Sequence, residues 1–108
     1  MSLLPIFDGH NDTLLALHEP KRNGPSTLFE RNTQGHIDLP RMREGGMVGG
    51  FFAIFVPSHA KPNDFTQVAD DKGHYQWPLP DPLTLEYAQK ETIAMMARLF
   101  KDLSLIHI

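Results

Sequence analysis

Along this chain short apolar runs alternate with polar stretches rich in glycine and proline, and the periodicity of each run predicts an element. Leu3-Leu4-Pro5-Ile6-Phe7 reads as a strand from about Leu4 to Asp8, followed by a short helix from about Thr13 to His18. Glu19 to Gly35, rich in charge, Asn, Gly and Pro, reads as a loop with a helical turn near Leu28 to Arg31. Asp38 is a fitting N-cap, Pro40 is tolerated in a first turn and Gly45 is a natural stop, so a short helix is predicted from about Leu39 to Glu44. Val48 to Val56 is an almost unbroken apolar run ended by Pro57. A strand apolar on both faces belongs inside a covered parallel sheet, whereas a half-exposed antiparallel strand would alternate. The Gly49-Gly50 pair at its start suits close backbone packing, because no helix and no Lys-Ser/Thr ending follows to make a phosphate loop.

Ser58 to Pro80 is polar and proline-rich, holds His59, His74 and Trp77, and reads as a long surface loop. Asp81-Pro82 then opens the last clear element as N-cap and first helical residue. Through it Leu85, Ala88, Thr92, Met95, Met96 and Leu99 form an apolar stripe for core packing, with Glu86, Lys90, Glu91 and Arg98 on the other side. The closing residues, Leu103 to Ile108, are apolar and follow without a glycine stop, which suits the start of a third strand; His107 there is incidental. The order strand, helix, helix, buried strand, helix is the opening of an α/β fold with parallel strands.

Composition narrows the chemistry. At 108 residues and a net charge of −3 with interspersed signs, the chain has the size of one domain and offers no basic patch for nucleic acid and no polybasic segment for anionic lipid. It contains no cysteine, so any metal must be held by histidine and carboxylate. The N-terminus lacks a basic region and a long apolar run, and no apolar run reaches transmembrane length, so a cytoplasmic location is the expectation.

Against that background one stretch stands out: Asp8-Gly9-His10-Asn11-Asp12, directly after the first apolar run. If the strand continues to Asp12, His10 and Asp12 project from one face, two residues apart. An imidazole and a carboxylate then converge as half of a zinc shell. On spacing alone Asp12 serves as well as an N-cap for the following helix, and His10 as a turn residue.

Three blocks in order, Asp8-Gly9-His10-Asn11-Asp12, Gly35-His36-Ile37-Asp38-Leu39-Pro40-Arg41-Met42 and Gly49-Gly50-Phe51-Phe52-Ala53-Ile54-Phe55-Val56-Pro57, resemble the start of the membrane (renal-type) dipeptidases. These are the M19 zinc peptidases, with the bacterial branch the better match, and the resemblance runs from about Ile6 to Phe100. It implies a (β/α)8 TIM barrel with a binuclear zinc site at the C-terminal ends of its strands. His10 and Asp12 would bind one zinc, a later glutamate would bridge both ions, and a bridging water would attack the peptide carbonyl of a dipeptide substrate. By the same rule Phe55, at the end of the second long strand, would line the substrate pocket; a core phenylalanine is the plain alternative.

A barrel of this class takes about 250 residues, so 108 residues are expected to be the N-terminal fragment of a single barrel domain, inactive alone. His18, His36, His59, His74 and His107 fall outside the family's ligand positions. The ending after Lys101 departs from the family pattern, which makes residues 103–108 a candidate non-native tail. Two other readings remain at this stage. One is a non-catalytic interaction module working through exposed strand edges, and the other is a different barrel metal hydrolase such as an amidohydrolase, which more often shows His-x-His on its first strand. Dipeptide preference and oligomeric state are not legible in the sequence.

Overall fold

A computed structural model describes residues 4–22, 24, 27–58, 70–74 and 79–106. Among them the order is β1 (Ile6–Asn11), α1 (Thr13–His18), a single 3-10 turn (Pro20–Arg22), α2 (Leu39–Glu44), β2 (Met47–Phe52) and α3 (Leu85–Ile106). β1 and β2 are hydrogen-bonded parallel neighbours. Such a pair needs a crossover long enough to carry the chain back to the same end of the sheet. Residues 12–46, with α1 and α2, supply it.

The register is irregular in two places. Ile6 and Phe7 lie opposite Met47 and Gly49, so β2 carries one extra residue there. Asp8 and Asn11 lie opposite Gly50 and Phe52, so β1 carries one extra residue at Gly9-His10. A residue added to one strand bends it and re-aims its side chains, a device found beside active sites. The glycine pair of β2 has the packing role expected of it. A Cβ on Gly49 would come within 2.7 Å of the Phe7 ring, and one on Gly50 within 3.1 Å of Asp8 Cβ and 2.8 Å of the Met47 methyl.

Both strands differ in extent from the reading of the apolar runs. β1 starts later and runs through His10 and Asn11, because backbone pairing with β2 selects the strand whatever the polarity of its side chains. β2 stops at Phe52, before the apolar run ends at Val56. Its partner ends at Asn11, where α1 begins, so only Ala53 N–H still finds an acceptor there, Asn11 O at 2.9 Å. Nor is β2 covered on both faces, since Val48 and Phe51 are exposed.

α1 and α2 occupy the expected residues. Asp38 caps α2 from a fully buried position: its carboxylate accepts from Arg41 N at 2.8 Å and Asn32 N at 2.9 Å, and pairs with the Arg41 guanidinium. The left-handed residue that ends α2 is Gly46, at φ 77°, while Gly45 is still right-handed at φ −77°. No helical turn forms at Leu28–Arg31. Leu28 instead packs into the core, and its carbonyl accepts from Leu39 N at 2.7 Å.

α3 begins at Leu85 and not at Pro82. Thr84 provides the cap, its hydroxyl accepting from Tyr87 N at 3.3 Å and its carbonyl from Ala88 N at 3.0 Å. Met95 is fully buried and Leu99 packs beside it, as the stripe requires. Leu85 and Met96, though, face solvent, while Glu91 and Arg98 turn inward. The inner face is partly polar because Glu91 pairs with His18 of α1, and Arg98 with the buried Asp102. Leu103 to Ile106 continue α3 and start no third strand. His59, Trp77 and His107 lie outside the described residues.

The core is small. Leu14, Leu15 and Leu17 of α1, Leu28, and Met95 form it, with Phe52 and Leu99 against its edge. α1 therefore packs against α3, with Leu28 and Phe52 of β2 beside its leucines, while α2 packs against β2.

One expected outcome concerns Asp38. Burial pushes its carboxyl up, yet the hydrogen bonds from Arg41 and Asn32 and the Arg41 charge outweigh it, so the group titrates below the ordinary carboxylate range. A depressed folded value means that its stabilising contribution is complete above the unfolded carboxylate range, about pH 4, and is lost as pH falls through the folded value. Asp38→Asn should therefore lower the urea midpoint at pH 7, and the gap to the unsubstituted protein should narrow on acidification. A gap that stays constant from pH 7 to pH 3 would contradict the assignment.

Candidate metal centre

The site grows from the junction where β1 hands over to α1. Asn11, the last strand residue, ties the two together: its amide donates to Asp8 Oδ2 at 2.9 Å, and its side-chain oxygen accepts from Thr13 N at 3.2 Å. Asn11 thus takes the capping duty that the sequence left open for Asp12. Asp12 sits at the N-cap position with φ −105° and ψ 31°, outside the strand, and its side chain makes no capping hydrogen bond. That frees its carboxylate to turn toward His10.

His10 Nε2 and Asp12 Oδ2 lie 3.4 Å apart, with the two side chains 67% and 54% exposed. The convergence expected from simple strand alternation is therefore present, but the extra residue in β1 and the turn into α1 produce it. As an ion pair the contact is poor, since charge-assisted bonds run to about 2.7–2.9 Å and exposed pairs contribute little. The separation suits another role. Two donors each about 2.0–2.1 Å from one tetrahedral zinc stand about 3.3–3.4 Å from each other. The donor types, one imidazole nitrogen and one carboxylate oxygen, fit as well.

Beside this pair opens a cleft of about 630 Å³. Its walls are the end of β1 (Asp8, His10, Asn11, Asp12), the start of α1, Arg22 and Gly24 after it, and Gly35, His36 and Ile37. Among the described residues no third histidine or carboxylate joins His10 and Asp12 in a metal-binding group. His18 is engaged with Glu91, and His74 with Asp70 at 3.1 Å. His36, set aside in the sequence reading, does line the cleft, as does Arg22, for which the sequence offered no signal. Phe55 lies past the end of β2, is exposed, and is not among the cleft-lining side chains.

Known metallopeptidases resemble this chain in sequence and fold. A crystal structure of dipeptidase AC, a metallopeptidase of family M19, is 42% identical and superimposes with a TM-score of 0.71 over 94% of this chain and 28% of that one. A Rhodobacter sphaeroides metallopeptidase, solved with a phosphinate mimic of the dipeptide L-Ala-D-Ala, is 38% identical with a TM-score of 0.72 over 94% of this chain and 29% of its own. Dipeptidase 3 of Mus musculus is 33% identical over 66 residues, which are 60% of this chain and 13% of that protein. The chain thus spans less than a third of the length of each of these relatives. The sequence pattern of the membrane dipeptidases (peptidase family M19) matches residues 1–107, further than the expected limit at Phe100, and this chain belongs to that family.

Proposed function

We propose that this chain is the opening segment of a zinc-dependent dipeptidase, and that its His10–Asp12 pair is the share it contributes to a two-zinc site in a (β/α)8 barrel. The observation that supports this most directly is the pair itself: a nitrogen and an oxygen donor 3.4 Å apart, exposed to a cleft, with Asp12 released from capping by Asn11. Bound there, zinc would supply Lewis acidity and an activated water, so that no serine or cysteine nucleophile is needed. The chain's own residues hold and orient. Asp8 fixes the Asn11 amide, Asn11 fixes the start of α1, and α1 packs its leucines into the core. The cleft takes the substrate, a dipeptide. Both ligands lie at the C-terminal end of β1, the end where barrel enzymes place their chemistry.

The test is a hybrid in which residues 1–108 replace the matching stretch of the 42%-identical metallopeptidase. The hybrid should hydrolyse Ala-Ala, lose that activity to a chelator and regain it with zinc. Residues 1–108 alone present two ligands where catalytic zinc usually has three, so they should bind zinc weakly and turn over no dipeptide. A folded hybrid whose hydrolysis survives chelation would refute the metal reading, and turnover by residues 1–108 alone would refute the division of the site.

A further inference from the structure

One face of α3 carries three contacts spaced four residues apart, at Tyr87, Glu91 and Met95. Tyr87 donates its hydroxyl to Pro57 O at 3.1 Å, past the end of β2. Burial, with Glu91 and Glu19 nearby, raises that hydroxyl above its ordinary range, so it stays a donor. One turn on, the Glu91 carboxylate accepts from Nε2 of His18, the last residue of α1. Another turn on, Met95 is fully buried against the α1 leucines. α1 has only six residues, too few to hold itself, so its placement is set from outside. Apolar packing tolerates sliding and rotation, whereas a shielded polar pair fixes register. The His18 and Glu91 side chains are 23% and 16% exposed, so water screens this pair far less than it screens His10 and Asp12. The opposite end of the same helix starts at Asp12, whose carbonyl accepts from Ala16 N at 3.2 Å. Turning α1 therefore turns the Asp12 backbone, and with it the carboxylate that faces His10.

We propose that His18 and Glu91 are positioning residues for the metal pair: they fix the register of α1 on α3 and so hold the Asp12 carboxylate at metal-binding separation from His10. This rests on the dipeptidase reading. Neither residue lines the cleft, so both act through α1 and not on metal or substrate. The Tyr87 bond to Pro57 ties the same face of α3 to the segment after β2, which gives α1 a reference that does not move with it.

The hybrid loaded with cobalt in place of zinc tests this, because the cobalt d–d spectrum reports the geometry of the ligand shell independently of turnover. Glu91→Ala should shift that spectrum and weaken cobalt binding by about tenfold, the lower end of what is lost when support for a metal ligand is removed. With zinc restored, kcat for Ala-Ala should fall while KM changes little. His18→Ala, at the end of its helix and the milder change, should do the same, and the double variant should lose no more than either single one, since the two side chains act as a unit. Glu91→Gln keeps an acceptor of the same size and should recover most of the loss. Leu99→Ala is the structural control: it removes apolar contact from the same face of α3, and should lower Tm without shifting the spectrum. An unchanged spectrum in either alanine variant of the pair, additive losses in the double variant, or an equal shift in Leu99→Ala overturns the positioning role and leaves the dipeptidase reading in place. An unsubstituted hybrid that binds no cobalt overturns both.

Discussion

Replacing His10 by Ala, or Asp12 by Asn, in the hybrid enzyme is expected to remove bound zinc and lower dipeptide turnover by more than about a hundredfold, the upper end of what is lost when an outer partner of a metal ligand is mutated. The reason is local. Among the described residues no third histidine or carboxylate joins the pair, so this segment's share of the metal shell rests on these two donors. Asp12→Asn is the more discriminating change, because it keeps the side chain's size and removes only its charge. Asp12 makes no capping bond, so the substitution should leave α1 and the folded state intact while metal is lost. His74→Ala serves as the control: His74 pairs with Asp70 on an exposed turn, away from the cleft, and its loss should change neither zinc content nor rate. Metal analysis beside the rate decides the matter. A His10→Ala enzyme that keeps its zinc and its activity would remove His10 from the site.

The second large effect concerns residues 1–108 by themselves, which are expected to self-associate. Phe7, Val48 and Phe51 are 59%, 71% and 66% exposed, and the two rings stack edge to face with centroids 5.3 Å apart. This apolar patch lies on a sheet of two strands, so each strand also presents an unpaired edge among the described residues. Exposed apolar area and free edges both favour association. The solved relatives carry more than twice as much additional chain, enough to cover such a face. Sedimentation velocity should show polydisperse species that bind a hydrophobic dye. Phe7→Ser combined with Phe51→Ser should shift the distribution toward monomer without unfolding α1, whose core lies elsewhere. A monomer with one cooperative thermal transition would contradict this expectation.

Local signals located the short helices well because their ends are written in individual residues. Asp38 caps, Pro40 fits the first turn, and α2 occupies the expected Leu39–Glu44. Long apolar stretches were less informative. Val48 to Val56 has strand composition throughout, yet the strand ends at Phe52, since backbone pairing needs a partner and β1 ends at Asn11. α3 shows the same limit in another form. Its apolar residues outline a stripe, but Glu91 faces inward because His18 of a distant segment supplies its partner. Single-sequence periodicity cannot register a partner 73 positions away.

At the site, the identity of the donors was a property of the sequence alone. With no cysteine in the chain, a His-x-Asp motif after an apolar run was the natural place for metal, and its three-block context named the family. Whether Asp12 capped α1 or turned its carboxylate toward His10 was decided only by tertiary structure. The answer depends on Asn11 reaching both Asp8 and Thr13, and on an extra residue in β1 that only pairing with β2 defines. Arg22 and His36 belong to the same class. They are 14 residues apart with no shared motif, and they line the cleft beside His10 and Asp12 only because the crossover from β1 to β2 brings both segments to it. Residue chemistry is carried by the chain locally, but convergence is a consequence of packing, which the order of residues specifies without displaying.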